Sequence, residues 1–158
     1  MSNASSPSSQ KTDNYHTKQA AQLSLILAAL PKQAPAGLKA FVAQFYARVP
    51  VDDLVQYDVK HAVAVAQSAF EFMQIRVPGT PKIRIFMPEK ATHGYDGRSM
   101  VIELINDDMP FLVDSLSAEL TRQGITIRET LHPIFHVKRD KKHALTDIDD
   151  SAAGEGSS

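Results

Sequence analysis

The change of hydrophobic period at residues 77–81 (VPGTP) constrains this chain more than any other feature. Upstream, apolar residues recur every three or four positions, the spacing of one helix face. Downstream, they begin to alternate, the spacing of a strand with one buried side. A run holding two prolines and a glycine in five residues separates the regimes, since proline ends a helix and leaves no amide to continue it.

The upstream half reads as helices. Leu23, Ile26, Leu27 and Leu30 form one stripe, ended at Pro31. Leu38, Phe41, Val42 and Phe45 form a second, stopped by Pro50. Asp52 or Asp53 opens a short turn through Leu54. Asp58 is placed to N-cap a longer helix by accepting from first-turn amides. Val59, Ala62, Val63, Ala66, Phe70 and Met73 share one face of that helix. Tyr46, Tyr57 and Phe70 fall at core or near-core positions.

Downstream, Lys82–Phe86 (KIRIF) predicts a half-buried strand and residues 100–105 (MVIELI) a stronger one. Met109, Leu112, Val113, Leu116 and Leu120 predict a helix, with Pro110 in its first turn and Gly124 as its left-handed C-terminal residue. Residues 125–138 return to strand period, broken or bulged at Pro133. A strand, a crossover helix and a second strand imply a right-handed β–α–β unit in one sheet. The expected fold class is therefore α+β, with N-terminal helices packed on a small sheet. The expected division is a disordered tail over 1–14, a helical segment over 15–77, the β–α–β unit over 78–140 and a flexible acidic tail or loop over 141–158.

Composition narrows the function classes. At 158 residues and 43% hydrophobic, the chain can bury a core without staples. It has no cysteine, so disulfides, thiolate nucleophiles and iron–sulfur clusters are excluded. A formal net charge of −1 argues against nucleic acid as a partner. No apolar run approaches the ~18 residues of a membrane span. The Ser-rich start lacks an apolar segment, so no secretory signal is read and the cytoplasm is the expected compartment.

Several side-chain groups invite a chemical reading. Asp107 and Asp108 could form an acid/base pair or a magnesium site, or could cap the helix that follows. The first-turn amides after Asp108 could hold an anion. His132 and His136 would lie ~13 Å apart on a strand at ~3.3 Å per residue, too far for one metal unless Pro133 bends the chain, in which case nearby His143 could add a third ligand. Otherwise they are ordinary surface histidines. Lys138, Arg139, Lys141 and Lys142 read as a solvated strand end. GxGxxG, GxxxxGK[ST] and GxSxG are all absent, which leaves no nucleotide cradle or nucleophile elbow. No catalytic residue, bound cofactor or metal site is expected in this chain. An enzyme built on Asp107, Asp108 and His132 is the least supported reading.

The stretch VIELINDDMPFLVDS (101–115), followed by QGITI and LHPIFHVKRD (131–140), resembles the N-terminal region of the large NAD-specific glutamate dehydrogenases. ARVPVDDL (47–54), PGTPKIRIFMP (78–88) and HGY (93–95) agree with it. The resemblance runs over roughly residues 23–140. It implies a parent enzyme that oxidises glutamate to 2-oxoglutarate and ammonia with NAD, whose catalytic and NAD-binding segments lie far downstream. This chain is then expected to be a fragment carrying the first half of an ACT-type (ferredoxin-like) domain.

The resemblance also implies a ligand-side turn at Asn106, Asp107, Asp108, Met109, Pro110, Phe111 and Leu112, where an amino-acid effector would sit. Many ligand-binding ACT domains carry glycine after the proline. Phe111 stands there instead and favours a packing or assembly role. The expected function is a non-catalytic regulatory and assembly domain. Its expected partners are further copies of itself and the remainder of the parent chain, with an amino-acid sensor as the alternative.

Overall fold

A computed structural model describes residues 7–149, with side chains from residue 14 onward. Six helices and four short strands follow in order: α1 (Pro7–Ala28), α2 (Leu38–Tyr46), α3 (Val51–Leu54), α4 (Val59–Met73), β1 (Lys82–Phe86), α5 (Lys90–His93), β2 (Val101–Ile105), α6 (Leu112–Arg122), β3 (Val137–Arg139) and β4 (Leu145–Ile148). The fold is α+β, as the change of period predicts. Helix α1 starts at Pro7, inside the expected N-terminal tail. The rest of that tail, residues 1–6, lies outside the described residues, as do residues 150–158 of the expected acidic tail.

The core belongs to α1, α2, α3 and α4. Ile26, Leu38, Phe41, Val42, Tyr46, Leu54, Ala62, Ala66 and Phe70 are all buried. Phe41 stacks on Phe45 at 5.2 Å and meets Phe70 edge-on at 5.4 Å. Tyr46 buries its ring while its hydroxyl donates to the Ala62 carbonyl at 2.8 Å. Burial pushes its pKa well above the ordinary tyrosine value. Asp58 caps α4 as expected, its Oδ1 accepting from the His61 amide at 2.8 Å.

Strands β1 and β2 pair antiparallel, with Arg84 opposite Glu103, Ile83 opposite Leu104 and Ile85 opposite Ile102. The β1 alternation is real, but its sense is reversed from a simple apolar-in expectation. Ile83 and Ile85 are each 59% exposed, while Lys82, Arg84 and Phe86 are half-buried. The polar side turns inward because α4 offers it partners. Arg84 donates to the Ser68 carbonyl and hydroxyl, pairs with Glu103, and lies 4.5 Å from the Phe72 ring and 4.6 Å from the Phe86 ring.

The expected β–α–β unit does not close. Residues 125–136 contain no strand, and β3 pairs antiparallel with β4 in a second two-stranded sheet rather than joining β2. Three physical reasons combine. Pro133 lacks an amide for a ladder. Phe135 stacks on Phe41 at 4.8 Å, and Leu131 also packs on the helical core. The β3–β4 hairpin closes over a short turn, whereas a crossover pairing must close a much longer loop. That turn is organised by Asp140, whose carboxylate accepts from the Lys142 and Ala144 amides. Strand β4 also corrects the reading of 141–158 as a flexible acidic tail or loop where it covers 145–148: Leu145–Ile148 pairs with β3, and Ile148 is buried in the helical core.

Candidate functional site

The turn expected to carry a ligand begins directly after β2. Asp107 is bound: its Oδ1 accepts from Arg76 at 2.9 Å and its Oδ2 from the Gly79 amide at 3.0 Å. The Arg76 hydrogen bond holds its carboxyl below the usual carboxylate range. Asn106 donates to the Met109 sulfur at 3.2 Å.

Asp108 is exposed and does not cap α6, which corrects the cap expected there. The residue before a proline is steered away from helical backbone angles. With Met109 before Pro110, the helix cannot take Met109 as its first residue and so cannot be capped by Asp108. It starts at Leu112 instead, after Phe111 in the left-handed region (φ 63°) and without a side-chain cap. Pro110 accordingly precedes the helix rather than occupying its first turn. Phe111 is 76% exposed, so its ring packs on nothing substantial. Gly124 is left-handed at the helix end (φ 76°), as expected.

Arg76 belongs to a cationic group around the C-terminus of α4. Lys82 donates to the Phe72 carbonyl at 2.6 Å and the Ile75 carbonyl at 2.8 Å. Arg139 donates to the Met73 and Gln74 carbonyls at 2.9 and 3.1 Å, and to the His143 carbonyl. The Phe72, Met73 and Gln74 carbonyls are ones the helix end leaves without intrahelical partners, at the negative end of its dipole. Arg139 is therefore half-buried and structural, in place of the solvated strand end expected for it. Burial and the neighbouring cations push the Lys82 pKa down.

Arg76, Gly79, Lys82 and Arg139 were not among the expected site residues. The contacts joining them to Asp107 and α4 span up to 66 residues. The one local signal was Gly79, which sits left-handed (φ 73°) in the VPGTP break.

A cavity of about 290 Å³ lies elsewhere, walled by the corner of α2 and α3 (Arg48, Asp53) and by residues 128–133. Burial and the charge of Asp53 raise the Glu129 pKa there. His132 lines this cavity, with neither Asp107 nor Asp108 in its wall. A second, of about 150 Å³, includes His136 and Lys138. None of Asn106, Asp107, Asp108, Met109, Pro110, Phe111 or Leu112 lines either cavity. Among the described residues, no group of three His, Cys, Asp or Glu could hold a metal ion. Among them, too, no helix is long and apolar enough to cross a membrane.

The family model for the glutamate dehydrogenase ACT1 domain matches residues 41–158. The chain belongs to the glutamate dehydrogenase ACT1 family. The chain is 34% identical over 116 residues to an NAD-specific glutamate dehydrogenase of Halomonas elongata. It is 30% identical over 108 residues to one of Pseudomonas aeruginosa. These matches take in 73% and 68% of this chain but 7% of either relative. No solved structure matches it. The ACT1 match begins inside α2 and takes in α3, α4, both hairpins and α6, while α1 lies before it.

Proposed function

We propose that this chain is an N-terminal regulatory and assembly domain of an NAD-dependent glutamate dehydrogenase, and that it carries out no chemistry of its own. The observation that carries the reading is proportion. The match takes in more than two-thirds of this chain and only 7% of enzymes named NAD-specific glutamate dehydrogenase. Oxidation of glutamate with NAD then belongs to the remainder of the parent chain, in the cytoplasm. The side chains agree with a non-catalytic part. Of the carboxylate pair in the turn, Asp107 is committed to Arg76 and Gly79.

The test has two arms. The purified chain, given glutamate and NAD, is expected to form no NADH. The parent enzyme lacking residues 41–149 is expected to change its oligomeric state in light scattering. Glutamate-dependent NADH from the isolated chain overturns the reading. So does a deleted parent whose assembly and response to effectors are both unchanged.

A further inference from the structure

We infer that the outer face of the β1–β2 hairpin is the seat of an apolar segment of the same polypeptide, lying outside residues 1–158. The inference rests on the reading of the chain as one domain of a longer enzyme. The register puts Ile83, Ile85, Ile102 and Leu104 on one side of the hairpin, because residues directly opposite share a face. Met87 and Met100 continue the alternation beyond the strand ends, and Met100 is 62% exposed. No charged side chain interrupts these six residues. The opposite side already has its cover, since Arg84 and Lys82 are bound to α4.

A contiguous apolar surface of this kind marks an interaction site in a soluble domain, and a two-stranded hairpin is not stable unsupported. Helix α6 does not supply the cover. None of its residues is buried, and Ile83 and Ile85 are each 59% exposed.

Three points select the occupant. The face offers aliphatic and thioether groups with no ionic register, which suits an apolar helix or strand and not a charged peptide. The enzymes this chain matches extend far beyond the shared 7%, so covering chain is at hand. A tethered segment also acts at an effective concentration up to ~mM, which favours it over a separate copy.

The test uses the full-length parent with a photoreactive benzoylphenylalanine at Ile85, and separately at Met100. Met100 is open enough to tolerate the probe if Ile85→benzoylphenylalanine folds poorly. The expected product is an internal cross-link. It keeps the mass of one chain on a denaturing gel, and mass spectrometry maps it outside residues 1–158. A cross-link to a second copy, a cross-link to another protein, or none at either position overturns the inference. This outcome is independent of the proposed function. Lost assembly on deletion with no internal cross-link sinks the seat alone, and an internal cross-link with unchanged assembly and response sinks the function alone.

Discussion

Asp107 illustrates how one side chain can be conspicuous in a sequence for the wrong reason. Its place in NDDMP suggests a cap or an acid/base pair, yet it holds Arg76 and Gly79 from the other side of a break in the chain. The pair ties the VPGTP turn to the end of β2, with Arg76 nearly buried and Asp107 exposed. Because the Asp107 pKa is lowered in the folded state, its contribution is complete above the unfolded value of about 3.9 and is lost as pH falls through the folded value. Asp107→Asn is therefore expected to lower the melting temperature at pH 7, with the gap to the parent chain closing in acid. Thermal unfolding followed by circular dichroism at pH 7 and pH 3 checks this. An equal gap at both values would mean the carboxylate charge is irrelevant. Asp107 itself could be found by eye, but its partners could not. Nothing local to Arg76 or Gly79 points across the 31 and 28 residues that separate them from it.

At the scale of elements, local chemistry predicted best where the element is stabilised by its own residues. Helix α4 is capped by Asp58 and buries Ala62, Val63, Ala66, Phe70 and Met73 of the stripe read from the spacing, with its sixth member, Val59, half-buried against the core. Asp58→Ala is expected to cost about 1 kcal/mol, measured by urea denaturation. No change would mean that solvent satisfies the first-turn amides equally well. The start of α6 shows the opposite case. Acidic residues before an apolar stripe suggest a cap, but Pro110 keeps Met109 out of helical angles, and the left-handed Phe111 (φ 63°) puts the helix start at Leu112. Strand period over 125–138 also proved insufficient. A strand exists only when a neighbour takes its amides and carbonyls, and the described partner of β3 is β4.

The whole molecule joins its parts at the C-terminal end of α4. Lys82 from β1 and Arg139 from β3 both close carbonyls of that helix end, so both hairpins are held to the helical core at one place. Strand β4 adds a second join. Ile148 enters the core within about 4 Å of where a Cβ on Gly37 would stand, and the Gln44 amide donates to the Asp149 carbonyl at 2.8 Å. Ile148→Ala should therefore destabilise the fold by about 2–5 kcal/mol, the range for emptying a buried aliphatic site. Denaturant unfolding measures it, and a loss below about 0.5 kcal/mol, the level of a surface substitution, would return residues 145–149 to the status of a loose tail. The α+β class, the helical stripes, the strands read at 82–86 and 100–105, and the family resemblance were all legible in the residues alone. Each of these rests on periodicity, capping or turn chemistry within a few neighbouring residues. Which face of β1 turns inward, which strand pairs with β3 and what Asp107 holds were settled by packing in three dimensions. Those choices depend on competition between partners distant in the chain, and a local pattern carries no record of who wins it.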